Sequence, residues 1–301
     1  MRSNHQILKK YNNNISNNTN LSNYSWFNLG GPAEYFFKPK NKIQLIEFLK
    51  DNLRNKFKIT ILGAGSNTLI RDNGIKGVVV KLGVSFSEIY LVDKNTINVG
   101  AAALDRKISD FAKNNNIGNL EFLACIPGSI GGAVIMNSGC YGSDISKVLE
   151  SINVIDIDEC VEKEIKREEI EFYYRGTNLP KNLIITSAKL KGIIENSEVI
   201  EKKQKKLIEQ KKISQPSQIK TCGSTFKNIS NEKKAWQIIK ETGCNKLTEG
   251  GASISEKHSN FFVNNGNAKS SDIEKLINKV KQKVNEKSGI NLELEIKIIG
   301  E

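Results

Sequence analysis

The stretch Leu123-Ala-Cys-Ile-Pro-Gly-Ser-Ile-Gly-Gly-Ala-Val-Ile-Met-Asn-Ser-Gly-Cys-Tyr-Gly142 constrains the fold more than any other, because apolar, small and hydroxyl residues crowd there without a single charge. Such a segment must go inside. Gly128, Gly131, Gly132, Gly139 and Gly142 each weaken a helix or strand through backbone entropy, so their clustering indicates main chain lying close against something bulky and flat. A single Gly pair reads as a packing turn in an α/β core. Five glycines interleaved with Pro127, Ser129, Asn137 and Ser138 point instead to a ligand cradle.

The 301 residues, 38% of them hydrophobic, are enough for two domains with a core each. No run approaches ~18 apolar residues, and Met1–Lys10 lacks the apolar core of a signal peptide, so a cytoplasmic protein without membrane insertion is expected. Cys125, Cys140, Cys160, Cys222 and Cys244 are odd in number and contain no C-x-x-C pair, which argues against a disulfide framework and a zinc site. With only His5 and His258, no metal centre is expected. The net charge of +12 fits a nucleotide substrate. The lysines are spread along the chain without an arginine-rich arm, so no nucleic-acid partner is expected.

Residues 1–20 are Asn-rich and read as a mobile arm. A turn at Gly30-Gly31-Pro32 leads into a strand, followed by a helix over about 41–53 with Ile43, Ile46, Leu49 and Leu53 on one side. The strand 58–62 runs into Gly63-Ala-Gly-Ser-Asn67, where Gly63 and Gly65 would let main-chain N–H groups turn inward toward a pyrophosphate and Ser66 and Asn67 would add neutral donors. The sixth position of a dinucleotide fingerprint is Thr68, and 68–74 reads as turn and not helix, which excludes a Rossmann dehydrogenase. Beyond it the pattern predicts a hairpin at 89–92 and 96–99, a helix over 104–115, strands at 151–157 and 183–187, and a charged helix near 197–212. A boundary is expected at Gln215-Pro216. The rest reads as a compact α+β unit with helices 231–242 and 272–288, the second opened by a Ser271/Glu274 capping box and stopped by Gly289. A last strand carries Leu292, Leu294, Ile296 and Ile298 on one face.

Taken together, Gly63–Asn67, Ile126–Ala133 with Asn137 and Tyr141-Gly142, Tyr174-Arg175, Gly223–Asn228 and Glu295–Gly300 resemble the UDP-N-acetylenolpyruvoylglucosamine reductase family over roughly residues 21–301. The chain is similar to the form without the extra tyrosine-bearing loop. The resemblance implies an α+β protein: an FAD-binding domain of the vanillyl-alcohol-oxidase (p-cresol methylhydroxylase) type at 21–213, in subdomains of about 21–80 and 81–213, and a smaller C-terminal substrate domain at 214–301. It also implies FAD as cofactor, NADPH as hydride donor, a UDP-sugar substrate and a monomer. Cys125 and Cys140 stand where the family usually has Gly and Ala, Thr177 where a Ser commonly follows, and Ile229 where Pro is frequent.

The implied reaction takes hydride from NADPH to the flavin and on to the enolpyruvyl methylene carbon, with a proton to the neighbouring carbon, in peptidoglycan precursor synthesis. An FAD-dependent oxidase of the same fold is the alternative. Under the resemblance Arg175, Ser224 and Glu295 are catalytic: Arg175 and a protonated Glu295 stabilise the developing enolate, and Ser224 gives the proton. Gly63, Ala64, Gly65, Ser66, Asn67, Pro127, Gly128, Ser129, Gly131, Gly132 and Asn137 would hold FAD. Tyr174, Lys227, Asn228 and His258 would bind substrate. On the residues alone, Phe172-Tyr173-Tyr174 beside Arg175 favour a site, whereas Glu295 reads as part of a solvated strand face with Glu293 and Lys297 and Ser224 as a turn serine. His258 reads equally as a capping or core histidine.

Overall fold

The computed structural model describes residues 7–230 and 232–301. By its contacts the chain forms two compact units, neither continuous in sequence: residues 7–16, 35–64 and 77–211 make up the described part of the first, and 17–34, 65–76 and 212–301 that of the second. The linear boundary near 214 thus accounts for one of several crossings of the chain.

The first unit has a five-stranded antiparallel sheet in the order Glu162–Lys166, Leu149–Asp156, Leu183–Lys191, Thr96–Gly100, Ile89–Leu91. Alternation puts Ile152 opposite Ala188 and Ala188 opposite Val99, all fully buried. Ile108 and Ala112 of the helix Asp105–Asn114 join them, with Ile130 and Val134 of the helix Ile130–Ile135, so the Gly-rich stretch does go inside.

A second core surrounds Val78 and Val80, whose strand pairs in parallel with Ile59–Ile61. The helix Lys42–Asn55 covers it with Leu45, Phe48, Leu49 and Asn52, an i, i+3, i+4, i+7 set, while Ile43 and Leu53 are exposed. The apolar face is therefore rotated from the expected one. Asn41 caps this helix by accepting from Gln44 N at 2.9 Å.

The expected arm at 1–20 needs correction. Its first six residues lie outside the described ones, but 7–10 are helical and Ile15–Asn20 is a strand. Ile7 and Tyr11 are only 4% and 3% exposed, and the Tyr11 ring meets Phe48 edge-on at 5.3 Å while its hydroxyl donates to Asp51 Oδ2 at 2.8 Å. Two well-placed apolar side chains suffice to anchor an Asn-rich segment, and composition does not register them.

In the second unit, the helix Ser270–Ser288 buries Ile273, Leu276, Ile277, Val280 and Val284. Phe27, Leu29 and Leu69 share that core with Phe226 and Phe262, which is why 17–34 and 65–76 fold here. A three-stranded antiparallel sheet, Thr248–Glu249, Ala252–Ile254, Phe262–Asn264, packs on the same helix. The helix 231–242 is shorter than expected, Ala235–Glu241. Thr68–Ile70, expected as turn, is a strand in parallel register with Lys297–Ile299, the only part of 292–298 and its extension that is regular strand.

The Ser271/Glu274 capping box does not form. Asp72 instead accepts from Ser270 N at 2.8 Å and Ser271 N at 3.0 Å, Asp272 accepts from Lys269 N at 2.9 Å, and Glu274 pairs with Arg71. Burial pushes the Asp72 carboxyl up, but these N–H donors outweigh it and hold it below its ordinary value. Gly289 stops the helix at φ 69° as expected.

Asp105 is fully buried, and neither carboxyl oxygen finds a partner among the described residues. Burial raises its carboxyl well above the usual range, so folding takes up a proton that the unfolded chain holds only below about pH 4. The sign follows: this favours the fold at low pH and is lost as pH rises toward the folded value. Asp105→Asn should accordingly raise the urea midpoint more at pH 8 than at pH 5, the unfolding free energy gaining about 1.4 kcal/mol for each pH unit over which the folded carboxyl alone holds its proton. Equal midpoint changes at both pH values would show the carboxyl to be ionised in the fold.

Candidate functional site

In the first unit the Gly-rich stretch lies along residues 101–105: Ile130 N donates to Ala103 O at 3.0 Å, Gly131 N to Ala101 O at 3.0 Å, and Asp105 N to Gly128 O at 3.2 Å. Gly131 suits this approach, since a Cβ there would stand 3.1 Å from Ala101 Cβ, a tight contact. Gly132 differs. A Cβ on it would meet no protein atom within 4 Å, so its bare backbone fronts open space. Gly63 joins the same place, its Cβ position 3.5 Å from Ser129 Oγ. Two of the loops expected to hold the cofactor thus meet, and exposed glycine backbone beside a small hydroxyl residue fits a large flat ligand.

Lys81, missed in the sequence, belongs to this cradle. Its Nζ donates to Gly63 O at 2.5 Å, and burial, reinforced by Lys38, lowers its pKa. The available signal was a lone charge ending the apolar run Val78-Val79-Val80.

Arg175 sits in the two-residue turn between the paired strands Phe172–Tyr173 and Gly176–Thr177, at φ 62°, a left-handed conformation that costs a non-glycine residue energy. Its Nη2 donates to Gly139 O at 3.2 Å and its guanidinium lies 5.0 Å from the Tyr174 ring centroid. The hairpin docks on the Gly-rich stretch: Asn137 Nδ2 donates to Tyr173 O at 3.3 Å and Thr177 Oγ1 to Ile135 O at 3.5 Å. Asn137 Oδ1 accepts from Ser146 N at 3.0 Å, so both ends of the Asn137 amide bond to protein, and its Nδ2 end holds the arginine hairpin.

The second unit carries Gly65, Ser66 and Asn67. Gly65 is needed for a reason other than freeing N–H groups: at φ 70° a Cβ would collide with the Tyr24 carbonyl. Asn67 Nδ2 donates to Glu295 O at 3.1 Å and Lys297 N donates to Asn67 O at 2.9 Å.

Segment 222–228 runs between two others of this unit. On one side Ser224 bridges Phe261, and Asn260 holds the neighbouring backbone, accepting from Phe226 N at 2.9 Å and donating to Phe226 O at 2.8 Å. On the other, Glu295 N donates to Thr225 O at 2.9 Å. Ser224 and Glu295 are thereby brought to adjacent backbone positions, both half-buried, so the solvated-face reading of Glu295 gives way. Asn260 was missed, and no local pattern marks it. Lys227 Nζ reaches Glu293 Oε2 at 3.4 Å, and Asn228 Oδ1 accepts from Ala235 N at 3.2 Å, where the helix Ala235–Glu241 begins.

The His258 ring packs on Phe261 at 4.6 Å, and its Nδ1 accepts from Asn260 N at 3.3 Å. Burial lowers its pKa below 6.5. The stability gained from a neutral ring is therefore complete above about pH 6.5 and lost as pH falls through the folded value. His258→Gln, which keeps an acceptor, should flatten the loss of urea midpoint between pH 7.5 and 5. An unchanged slope would mean that His258 titrates as in the unfolded chain.

Comparison with known proteins adds identity to this geometry. The family described as UDP-N-acetylenolpyruvoylglucosamine reductase, C-terminal domain, matches residues 215–299, and the FAD binding domain family matches 33–162. A UDP-N-acetylenolpyruvoylglucosamine reductase of Pelagibacter ubique is 47% identical over 298 residues, covering 97% of this chain and 98% of that one. One from Rickettsia canadensis is 44% identical over 281 residues, covering 93% and 94%. Among solved structures, the UDP-N-acetylenolpyruvylglucosamine reductase from Thermus caldophilus superposes with a TM-score of 0.81 at 29% identity, covering 95% of this chain and 98% of that one.

Proposed function

The chain belongs to the UDP-N-acetylenolpyruvoylglucosamine reductase family, and from that premise we propose how its residues divide the work of reducing an enolpyruvyl UDP-sugar to the lactyl ether of peptidoglycan precursor synthesis. It is an FAD-dependent oxidoreductase, and identity extending over 97% of the chain favours the reductase over an oxidase of the same fold. Bound FAD supplies the hydride, with NADPH as its source.

Gly63, Ala64, Gly65, Ser66, Asn67, Pro127, Gly128, Ser129, Gly131 and Gly132 are assigned to the cofactor, with Lys81 beside Gly63. The open backbone at Gly132 is the observation that carries this assignment. Arg175 donates to the substrate carboxylate as negative charge builds up on it, its strained turn fixed by Asn137. Glu295, kept protonated, shares that task, and Ser224 delivers the proton to the carbon next to the one that receives hydride. Tyr174, Lys227, Asn228 and His258 position the sugar nucleotide. The protein acts as a monomer in the cytoplasm. No helix among the described residues is long and apolar enough to cross a membrane.

The deciding experiment is an anaerobic absorbance trace of the purified yellow protein. NADPH should bleach the flavin band, and the enolpyruvyl UDP-sugar alone should restore it. Recovery only on admitting oxygen would make the protein an oxidase.

A further inference from the structure

The Gly-rich stretch carries a cysteine at either end that the reaction does not use. Cys125 precedes Pro127, and Cys140 lies in the hairpin of Gly139–Cys140 with Ser143–Asp144. The chain between them folds back: the Cys140 thiol donates to Phe122 O at 3.4 Å, on the turn Glu121–Cys125 that Cys125 closes, and the two cysteine side chains interact. Lys211 Nζ donates to Cys125 O at 2.6 Å, placing an ammonium group beside both sulfurs. Cys125 is 6% exposed and Cys140 half-buried, Cys160, Cys222 and Cys244 are 3%, 3% and 0% exposed, and all five cysteines are free thiols.

We propose that Cys125 and Cys140 are a dithiol modification site that a peroxide converts to a disulfide, in the manner of reversible thiol switches in reducing compartments. The Cys125 thiolate attacks one peroxide oxygen; the O–O bond breaks, hydroxide leaves and takes up the proton the Cys125 thiol had released to become water, and a sulfenic acid remains. The Cys140 sulfur then attacks that sulfur, the S–S bond forms, the S–O bond breaks, and the Cys140 proton departs with hydroxide as a second water. Both electrons end on the peroxide. The roles follow from the surroundings: the hydrogen bond from Cys140, helped by Lys211 against burial, lowers the pKa of Cys125, whereas the same bond and burial raise that of Cys140. Cys140 is the resolving thiol.

The disulfide would tie the 139–144 hairpin to the turn Glu121–Cys125. Gly139 O is the acceptor of Arg175 Nη2, so oxidation would constrain the arginine, a consequence that rests on the function proposed above.

The test uses the flavin-loaded protein, reduced, desalted and exposed to hydrogen peroxide. Thiols titrated after denaturation should fall from five to three, and a non-reducing peptide map should show Cys125 joined to Cys140 in the monomer. Dithiothreitol should restore all five. Cys140→Ser should form no disulfide and leave a sulfenic acid on Cys125 trappable by dimedone, appearing at least ~10-fold faster than any on Cys160 or Cys222. Equal oxidation of Cys160 and Cys222, a different cross-link, or one only between two chains would overturn the proposal. Because the peptide map does not depend on turnover, it can succeed even if the proposed function fails.

Discussion

Ser224→Ala should leave the bleaching of flavin absorbance by NADPH near its parental rate while slowing its recovery, on addition of the enolpyruvyl UDP-sugar, by ~10²–10⁴-fold. The first half-reaction moves no proton to the sugar's carbon, so a donor there is irrelevant to it. The second needs one. A serine is so weak an acid that it can serve only a strongly basic, carbanion-like centre, and the bond from Glu295 N to Thr225 O sets the backbone of Glu295, the carboxyl of this assignment, beside the residue that follows Ser224. The substitution removes a half-buried hydroxyl from a segment held by main-chain bonds to Asn260 and Glu295, so the fold should be unaffected. Ser224→Cys restores a hydrogen donor of similar size and should recover part of the rate. Stopped-flow absorbance follows both halves in one sample; equal slowing of the two, or of neither, would make Ser224 structural.

Gly132→Val is expected to give soluble, folded protein that purifies pale. The added side chain meets no protein atom within 4 Å at its Cβ, and valine is favoured over glycine in a helix by a few tenths of a kcal/mol, so the ligand-free fold has no reason to suffer. The space it fills is the one assigned to FAD. Overpacking there costs ~1–3 kcal/mol, which is ~5- to 150-fold in affinity. The ratio of visible to protein absorbance, with FAD titration monitored by its fluorescence, measures the loss. Gly131→Ala is the useful contrast, because it crowds Ala101 whether or not FAD is bound. Full flavin occupancy in Gly132→Val would remove the Gly-rich stretch from the cofactor site.

Much of the fold was legible because it is written at short range. The helices at 105–114 and 270–288 carry apolar residues at helical spacing, the strands 149–156 and 183–191 alternate, and Gly289 marks a stop, each a signal confined to neighbouring residues. The glycine cluster likewise declared that backbone must be approached closely. It could not declare by what. The ligand of the cradle follows from the family, while the structure alone separates Gly131, packed tightly on Ala101, from Gly132, which fronts open space.

What the tertiary structure decided lies wherever partners are far apart in the chain. Asp72, not the local Ser271/Glu274 pattern, caps the helix at 270, because a carboxylate placed by the turn after the strand Thr68–Ile70 offers both oxygens to the free N–H groups. Ile7 and Tyr11 turn a polar arm into part of a core, and Asn137 holds the Arg175 hairpin at Tyr173 O with one end of its amide and Ser146 N with the other. Short-range periodicity fixes which residues face inward, since the backbone's own repeat imposes it. Which distant group waits there is fixed only when the chain closes on itself, since side-chain hydrogen bonds and apolar contacts act over a few ångströms of space and are indifferent to separation in sequence.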